Sequence, residues 1–391
     1  MEDLISGIAI VLVISFLFSE FFFRIKYPRV IGQIIAGILL SFPFFTILIG
    51  SSVIGQIEFL AELGIIFLLL LTGLQLNLDK FQKAEKDAII IAMFSVLIPF
   101  VMGFVLIKML GYDNFVAFTV GACLSLTAEG TKLKVLLDMK ALNTKLGTIM
   151  LGAGILDDIF EVLFLSSILF LGSKNPDPAA LVAIPVKIII FVAIVYATYK
   201  LFPMGMRMIE KEHSRVSTFS FVLIFGIIIA ALSKQLDLGP VIGAFIAGII
   251  IHLAEHKKWE HYETVKELQV MTFSLIIPFF FVNIGLHFPA TEMLQNVGLL
   301  IGVLSVATAG KLIGALVATP LTSLSLKQTH LVGWGMNSRG LIELVMADFA
   351  FRSGLIPSEV YGAIVVMAII TTLAFPIMMK HIVKKDRKIL N

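Results

Sequence analysis

Two adjacent carboxylates, Asp157 and Asp158, lie in the middle of an apolar stretch that runs from residue 146 to residue 170. A stretch of that length can cross a bilayer, which requires about 20 mainly apolar residues. A charged carboxylate at membrane depth costs about 2.5–3.5 kcal/mol on insertion scales. Glu161 adds a third carboxylate one turn further on. Such a cluster is expected only where a cation meets it, so the sequence predicts an ion or proton site.

A lysine within another apolar segment, Lys311, is the predicted partner of this cluster. A lysine near the end of a helix can reach the membrane surface by snorkelling, but Lys311 lies more than halfway along its predicted span, so we expect it to pair with an aspartate. Arg339 and Glu343 are also intramembrane residues, four positions apart in the sequence. On a helix this spacing would allow them to form an i,i+4 ion pair.

The composition requires a membrane protein with many crossings. Of the 391 residues, 58% are apolar and 15% are charged, and the mean hydropathy is +1.00. The net charge of +3 comes from short loops and gives no reason to expect nucleic acid as a partner. A single cysteine, Cys123, excludes an internal disulfide and a cysteine-based metal site. We find no HExxH-type spacing and predict neither an enzyme nor a cofactor.

Thirteen apolar spans are predicted, and the loop charges support that number. The spans lie near 3–23, 29–49, 57–78, 87–110, 115–138, 146–171, 180–203, 215–235, 239–254, 269–289, 295–320, 330–351 and 358–381. Lysine and arginine accumulate in alternate connections and in the tail after residue 380. We therefore expect a protein of the cell membrane. The positive-inside rule places its N-terminus outside the cell and its C-terminus in the cytoplasm.

Three sequence matches at a nearly constant offset indicate an internal repeat. The stretch 30–40 returns at 241–251, Gly73 aligns with Gly285, and Ala128-Glu-Gly130 aligns with Ser338-Arg-Gly340, at offsets of 211, 212 and 210. Chance similarity of short glycine- and isoleucine-rich helices is the alternative, but three ordered matches favour duplication. Two six-helix units separated by one helix must enter the membrane in opposite orientations. Inverted repeats are typical of secondary transporters, with the site at the midplane.

Each repeat also contains one polar, glycine-bearing interruption within a span. The first is Thr127-Ala-Glu-Gly-Thr131, and the second lies in Gly333-Trp-Gly-Met-Asn-Ser-Arg-Gly340. Irregular backbone at membrane depth is tolerated only where protein or a cavity surrounds it. We therefore expect two discontinuous helices that cross, with Glu129 and Arg339 offsetting the partial charges of the helix ends.

These residues resemble the monovalent cation:proton antiporter-2 family, the Kef/NapA-like exchangers. The resemblance runs over essentially the whole chain and is carried by four motifs besides the aspartate pair. They are Gly32-Gln-Ile-Ile-Ala-Gly37, Pro278-Phe-Phe-Phe-Val-Asn-Ile-Gly285, Gly310-Lys311 and Gly335-Met-Asn-Ser-Arg-Gly340. It implies an all-α, NhaA-type fold that works by elevator-like alternating access.

The resemblance also implies a domain organisation. Residues 1–82 and 213–291 are expected to form a scaffold domain that dimerises, and 83–173 and 292–382 an ion-transport core. Residues 174–212 would be a linker helix and loop, and 383–391 a cytoplasmic tail. Because the chain ends at Asn391, we expect it to lack the nucleotide-binding regulatory domain of Kef proteins. Membrane lipid and a second copy of the chain are the expected partners.

Roles for individual residues follow from the resemblance. Asp158 resembles the carboxylate that binds cation or proton, Asp157 its neighbour that pairs with Lys311, and Thr127 the threonine of the first crossing. Asp158 and Thr127 are thus the expected Na+ ligands. At the first break the family usually has Thr with Asp or small hydroxyl residues, whereas this chain has Thr127-Ala-Glu129-Gly. It also has Lys132 and Lys134, where the family more often has uncharged residues. Lys132 can pair with Glu161.

The predicted function is exchange of protons for a monovalent cation. Na+ is the expected cation, with K+ or Li+ as alternatives, and the lysine–aspartate pair favours electrogenic exchange. An electroneutral K+/H+ exchanger or K+ efflux protein of the same family is the second hypothesis. A channel is disfavoured because a Thr-Val-Gly-Tyr-Gly filter is missing from the sequence. A sodium-coupled solute symporter and a pH sensor without flux are the remaining alternatives.

Overall fold

A computed structural model shows an all-helical chain. It describes residues 4–25, 27–45, 51–75, 86–128, 132–133, 135–136, 139, 141, 144–171, 178–210, 215–236, 239–255 and 260–390. The helices, in chain order, are α1 Leu4–Arg24, α2 Arg29–Leu40, α3 Ser51–Gln75, α4 Lys86–Met109, α5 Asn114–Ser125, α6 Lys145–Leu171, α7 Pro178–Glu210, α8 Arg215–Gln235, α9 Pro240–Glu255, α10 Glu260–Met271, α11 Ile277–Leu286, α12 Ala290–Gln295, α13 Val297–Ala318, α14 Leu326–Gly335, α15 Leu341–Arg352 and α16 Ser358–Lys385.

Eight helices in the described part of the chain are long and apolar enough to cross a bilayer. They cover Leu4–Arg24, Val53–Leu74, Lys86–Met109, Ile189–Ile209, Val216–Gln235, Val265–Leu286, Val297–Leu321 and Ser358–Lys385. Shorter apolar helices lie at Arg29–Leu40, Asn114–Ser125 and Pro240–Ala254. The structure therefore supports a multi-span helical protein, while the number of thirteen crossings stays a prediction.

The predicted span 269–289 is not one uniform helix. It consists of the end of α10, a π-helical turn at Thr272–Ile276, and α11. Pro278 stands in the first turn of α11. Proline donates no backbone hydrogen bond, so the regular helical pattern cannot continue through it. The π turn accommodates this local change in hydrogen bonding.

The chain divides into two compact units. The first unit comprises Met1–Leu76 and Ser173–His287, and the second comprises Asn77–Gly172 and Phe288–Asn391. Helix α7, which the sequence suggested as a separate linker, belongs to the first unit. The functional names scaffold and core stay predictions for these units.

Close glycine contacts hold the first unit together. Gly37 of α2 packs so tightly on α11 that an added Cβ would stand 2.9 Å from the Cα of Gly285. Gly73 of α3 packs in the same way on α9, where the distance to the Cα of Gly248 would be 3.1 Å. Small residues allow helix backbones to approach closely in a membrane. The pattern pairs α2 with α11 and α3 with α9.

The second unit is built around the pair α4 and α13. Gly310 of α13 faces Pro99 of α4, with 2.7 Å between an added Cβ and the proline Cβ. Gly314 lies one turn further along and would meet the Cα of Ser95 at 3.2 Å. The glycines therefore fix α13 closely against α4, and Lys311 lies between them on α13.

Two helices of the second unit begin at well-defined caps. Asp113 caps α5 by accepting a hydrogen bond from the Val116 N–H at 2.9 Å. Ser325 and Gln328 form a reciprocal capping box at the start of α14. These caps satisfy donors that a helix start leaves unpaired. They fix where α5 and α14, the helices that lead into the two interruptions, begin.

Candidate functional site

Lys311 is fully buried and reaches from α13 towards α5 and α6. Its Nζ donates to the carbonyl oxygen of Ser125 and to Thr127 Oγ1 at 2.8 Å. The same Nζ lies 3.8 Å from Asp157 Oδ2, and both side chains are 0% exposed. The structure therefore brings together Lys311, Asp157 and Thr127, three residues selected from the sequence.

The Asp157 carboxylate has very little internal hydrogen bonding. Within the described part of the chain, neither of its oxygens has a hydrogen-bond partner. The ammonium of Lys311 approaches it only at ion-pair distance, because its short contacts go to Ser125 and Thr127. An ionised carboxylate is acceptor-only and has about four lone-pair sites. Asp157 thus retains acceptor capacity that a proton or a cation can occupy.

The two predicted interruptions meet in the second unit. Helix α5 ends at Ser125 and the backbone of Leu126 is extended, while α14 ends at Gly335 and α15 begins only at Leu341. The Ala128 N–H donates to the Ser338 carbonyl at 3.0 Å, and Ser338 Oγ donates to the Ala128 carbonyl, also at 3.0 Å. The backbones of the two interruptions are therefore hydrogen-bonded to each other through Ala128 and Ser338.

The Thr127 hydroxyl forms hydrogen bonds both to the second interruption and to Lys311. The hydroxyl donates to the Met336 carbonyl at 3.1 Å and accepts from Lys311 Nζ. A threonine hydroxyl offers one donor and two acceptor lone pairs. Among the described residues, one acceptor position of Thr127 therefore stays available after both bonds have formed.

The Arg339–Glu343 ion pair expected from the sequence is not formed within the described residues. Arg339 precedes α15, so the two side chains lack the helical i,i+4 geometry. The guanidinium instead donates to the Leu126 carbonyl and to the Ala307 carbonyl at 3.0 Å. Glu343 Oε1 accepts from the Gly340 N–H at 2.8 Å.

Both residues nevertheless match the charges of the helix ends. Leu126 is the C-cap of α5, where a helix carries partial negative charge, and Arg339 brings a cation to it. Glu343 lies in the first turn of α15, where the partial charge is positive. Such placements stabilise helix ends. Arg339 lies beside a helix end of the sign that the sequence argument requires, its role in offsetting that charge stays a prediction, and Glu129 lies outside the described residues.

The remaining predicted site residues are only partly described. Lys132 and Glu161 are both buried, with 1% and 5% exposure, and Lys132 Nζ lies 3.7 Å from Met336 Sδ. Their mutual pairing stays a prediction. Asp158 belongs to α6, but its side chain lies outside the described residues, and Lys134 lies outside them entirely.

Several groups at the crossing were missed by the sequence argument. The carbonyl oxygens of Ser125, Leu126 and Ala307 accept bonds from Lys311 and Arg339. Backbone carbonyls leave no sequence signal. Asn337 was also missed, although the offset of 210 that relates Ala128 to Ser338 relates Thr127 to Asn337. The predicted repeat therefore points to Asn337 as well.

Comparison with known proteins assigns this arrangement to a family. The family described as "Sodium/hydrogen exchanger, transmembrane" matches residues 8–385. The Na(+)/H(+)-K(+) antiporter GerN of Bacillus cereus is 29% identical over 381 residues, covering 96% of this chain and 95% of the relative. An Na(+)/H(+) antiporter of Enterococcus hirae is 27% identical, with 98% and 99% coverage.

A solved structure shows the same fold. The sodium proton antiporter MjNhaP1 of Methanocaldococcus jannaschii superposes with a TM-score of 0.67 at 16% sequence identity, over 99% of both chains. The family resemblance inferred from the motifs is confirmed, and these relatives are transporters. The chain is a multi-pass membrane protein that belongs to the sodium/hydrogen exchanger family.

Proposed function

We propose that this protein is a secondary antiporter that exchanges protons for a monovalent cation, with Na+ as the principal cation. The observation that carries the proposal is the Asp157 carboxylate. It is fully buried, lacks hydrogen-bond donors in the described chain, and lies 3.8 Å from Lys311 beside two crossed helix breaks. The relatives named as Na+/H+ antiporters support the choice of cargo.

Exchange follows from competition at the aspartate pair. A carboxylate that is removed from water is costly as a bare charge and is stabilised when a proton or a cation neutralises it. We assign this alternation to Asp158, with Asp157 and Thr127 contributing oxygen ligands. When a proton or a cation is bound, the site can switch its access from one side of the membrane to the other. The empty site is charged, and the desolvation cost of that charge prevents the switch. Proton and cation movements are thereby coupled.

Lys311 is the residue that would make the exchange electrogenic. The Lys311 ammonium donates to the Ser125 carbonyl and to the Thr127 hydroxyl, two oxygens that a cation also needs as ligands. Entry of the cation must displace the ammonium. If the lysine loses its proton at that step, two protons move for each cation and transport is electrogenic. Lysine is suited to this role because its protonation changes readily when it is buried.

The wider architecture is part of the same proposal. We infer thirteen spans, two inverted repeats and elevator-type movement of the second unit, with the first unit as a dimerising scaffold in the cell membrane. The cross-pairing of α2 with α11 and of α3 with α9 supports a duplicated first unit, because the repeat relates α2 to α9 and Gly73 to Gly285. A role in pH homeostasis would follow from the exchange.

A second candidate is K+/H+ exchange. It is favoured by one relative, whose name includes K+ alongside Na+. Backbone carbonyls and a threonine hydroxyl are oxygen ligands for either ion, so the described site does not by itself select between them. In this alternative the exchange would be electroneutral.

The test is transport by purified protein in liposomes that contain a pH-sensitive dye. Addition of NaCl, LiCl or KCl to the outside should drive protons out of the liposomes, with the largest response to Na+. An imposed membrane potential should alter the rate if exchange is electrogenic. Absence of proton movement with every cation would contradict antiport, and a response insensitive to potential would favour the electroneutral alternative.

A further inference from the structure

Asn337 is a buried amide that the crossing holds in place without bonding to it. Its side chain is 0% exposed. Neither Oδ1 nor Nδ2 has a hydrogen-bond partner among the described residues. Buried polar groups are almost always paired, so the protein retains this amide at a cost to its stability.

The residues on either side of Asn337 are tied to the first interruption. The carbonyl of Met336 accepts from Thr127, and Ser338 exchanges two bonds with Ala128. The Asn337 N–H itself donates to the Trp334 carbonyl at 3.1 Å. The backbone N–H of Asn337 is therefore bonded, while its side-chain amide has no hydrogen-bond partner among the described residues.

In the predicted repeat, the position of Asn337 is equivalent to that of Thr127. The sequence offset of 210 that aligns Ala128 with Ser338 also aligns Thr127 with Asn337. The carbonyl next to it, that of Met336, is bonded to the Thr127 hydroxyl, which in turn holds Lys311. Thr127 and Asn337 thus supply one neutral polar side chain from each interruption.

We propose that Asn337 is a cation ligand that helps to determine ion selectivity, through its amide oxygen. This inference rests on the proposed exchange function. When a cation displaces Lys311, it needs several oxygen ligands in place of its water. Asp157, Thr127 and Asn337 each offer an oxygen with unused acceptor capacity, and the amide oxygen adds a ligand without adding charge. The second repeat thereby contributes to a site otherwise drawn from the first.

Two substitutions test the ligand role. Asn337→Leu keeps the number and branching of the side-chain heavy atoms and removes the oxygen, whereas Asn337→Ser retains a neutral oxygen. In Na+-free buffer the leucine variant should unfold at or above the wild-type temperature, because an unpaired amide has been removed. Adding NaCl should raise the midpoint of the wild type and fail to raise that of the leucine variant. The serine variant should recover part of the shift.

Transport provides the specificity readout. In liposomes the leucine variant should show an apparent KM for Na+ raised by about tenfold, with a smaller change in maximal rate and an altered ratio of the KM values for Na+, Li+ and K+. Asn283→Leu is the matched control. Asn283 is another fully buried amide whose atoms lack partners in the described chain, but it belongs to α11 of the first unit. Its substitution should leave the KM ratio unchanged.

The outcomes separate this inference from the proposed function. If the wild type exchanges ions and the leucine variant keeps its KM ratio and its Na+-dependent thermal shift, Asn337 is not a ligand. A variant that loses stability in Na+-free buffer but retains the shift would make Asn337 a structural residue. If the leucine variant does not fold, Asn337→Ala also removes the oxygen, and an unchanged KM ratio in that variant overturns the inference. A wild type that exchanges no cation would overturn the proposed function itself.

Discussion

The two units bury different kinds of residue. In the described part of the chain, the buried polar residues of the first unit are uncharged: Ser15, Ser19, Gln33, Ser233, Thr272 and Asn283. Among its described residues, the second unit buries seven charged side chains: Lys132, Asp157, Glu161, Lys311, Arg339, Glu343 and Asp348. Both units use glycine for close helix packing. Close helix packing is thus common to both units, whereas the charged side chains buried within the described residues all lie in the second unit.

That separation has an energetic reason. A unit that is held together by small residues and apolar contacts pays no cost for buried charge. A unit that binds ions must bury charge and must neutralise it with opposite charges and helix ends. The contrast predicts that replacing a buried ionisable residue of the second unit will impair transport, whereas replacing a buried polar residue of the first unit will leave transport intact.

The largest effect is expected at Asp158. Replacing it by asparagine removes the group that alternates between proton and cation, so exchange in liposomes should fall below about a tenth of the wild-type rate. Gln33→Leu removes a buried polar group of the first unit and should leave exchange intact. Normal exchange by Asp158→Asn, or its loss in Gln33→Leu, would contradict the division between the units.

The Lys311–Asp157 pair is the next target. Lys311→Ala leaves an uncompensated buried carboxylate, which for buried pairs costs about 3–5 kcal/mol. The thermal midpoint in detergent should fall accordingly. The double variant Lys311→Ala/Asp157→Asn should recover part of that loss because it also removes the unpaired charge. A double variant no more stable than Lys311→Ala would argue against energetic coupling of the pair.

The same substitution tests the charge balance of transport. If Lys311 carries the second proton, a Lys311 variant that still exchanges ions should lose its response to membrane potential. The control is the wild type in the same liposomes. A variant with unaltered voltage response would leave the electrogenic hypothesis without support.

Packing in the first unit provides a matched pair of glycines on α3. A Cβ at Gly73 would approach the Phe245 carbonyl and the Cα of Gly248, the latter at 3.1 Å, whereas a Cβ at Gly55 would meet no atom within 4 Å. Gly73→Ala should cost about 1–3 kcal/mol through overpacking. Gly55→Ala should stabilise the helix by up to about 1 kcal/mol. Equal thermal midpoints for the two variants would refute the close α3–α9 contact.

Thr127 should produce a smaller change, confined to cation binding. Thr127→Ala removes an oxygen ligand and should raise the apparent KM for Na+ severalfold, with less effect on the maximal rate. Thr127→Ser keeps the hydroxyl and is the control. An unchanged KM in the alanine variant would place the cation away from the first interruption.

The smallest effect is expected at Tyr112, in the loop between α4 and α5. Burial, and then the nearby Glu359, raise the pKa of the Tyr112 phenol, and its hydroxyl donates to Glu359 Oε1 at 3.2 Å. Because the folded chain holds this proton more tightly than the unfolded chain does, the stabilisation is present below about pH 10 and is lost as the pH rises further. Thermal midpoints of Tyr112→Phe should show a smaller alkaline decline than the wild type. An identical decline would exclude this contribution.

The sequence was sufficient to identify a helical membrane protein, its family and the residues worth testing. Hydropathy is a property of each segment, and a charged residue in an apolar segment is visible without any neighbour. The cost of burying Lys311 predicted a carboxylate partner, and the structure places Asp157 at 3.8 Å. Glycine and polar residues at the two interruptions indicated that their helices would break.

Only the tertiary structure decided which groups those residues contact. Lys311 directs its short hydrogen bonds to the Ser125 carbonyl and to Thr127, and Arg339 binds carbonyls where i,i+4 spacing had suggested Glu343. Backbone carbonyls carry no residue identity, and helical spacing fails for a residue that precedes the helix. The unpaired amide of Asn337 likewise depends on every neighbour around it. The hydropathy and charge of a segment are local properties and can be read from the sequence. Hydrogen-bond partners depend on how distant segments pack together.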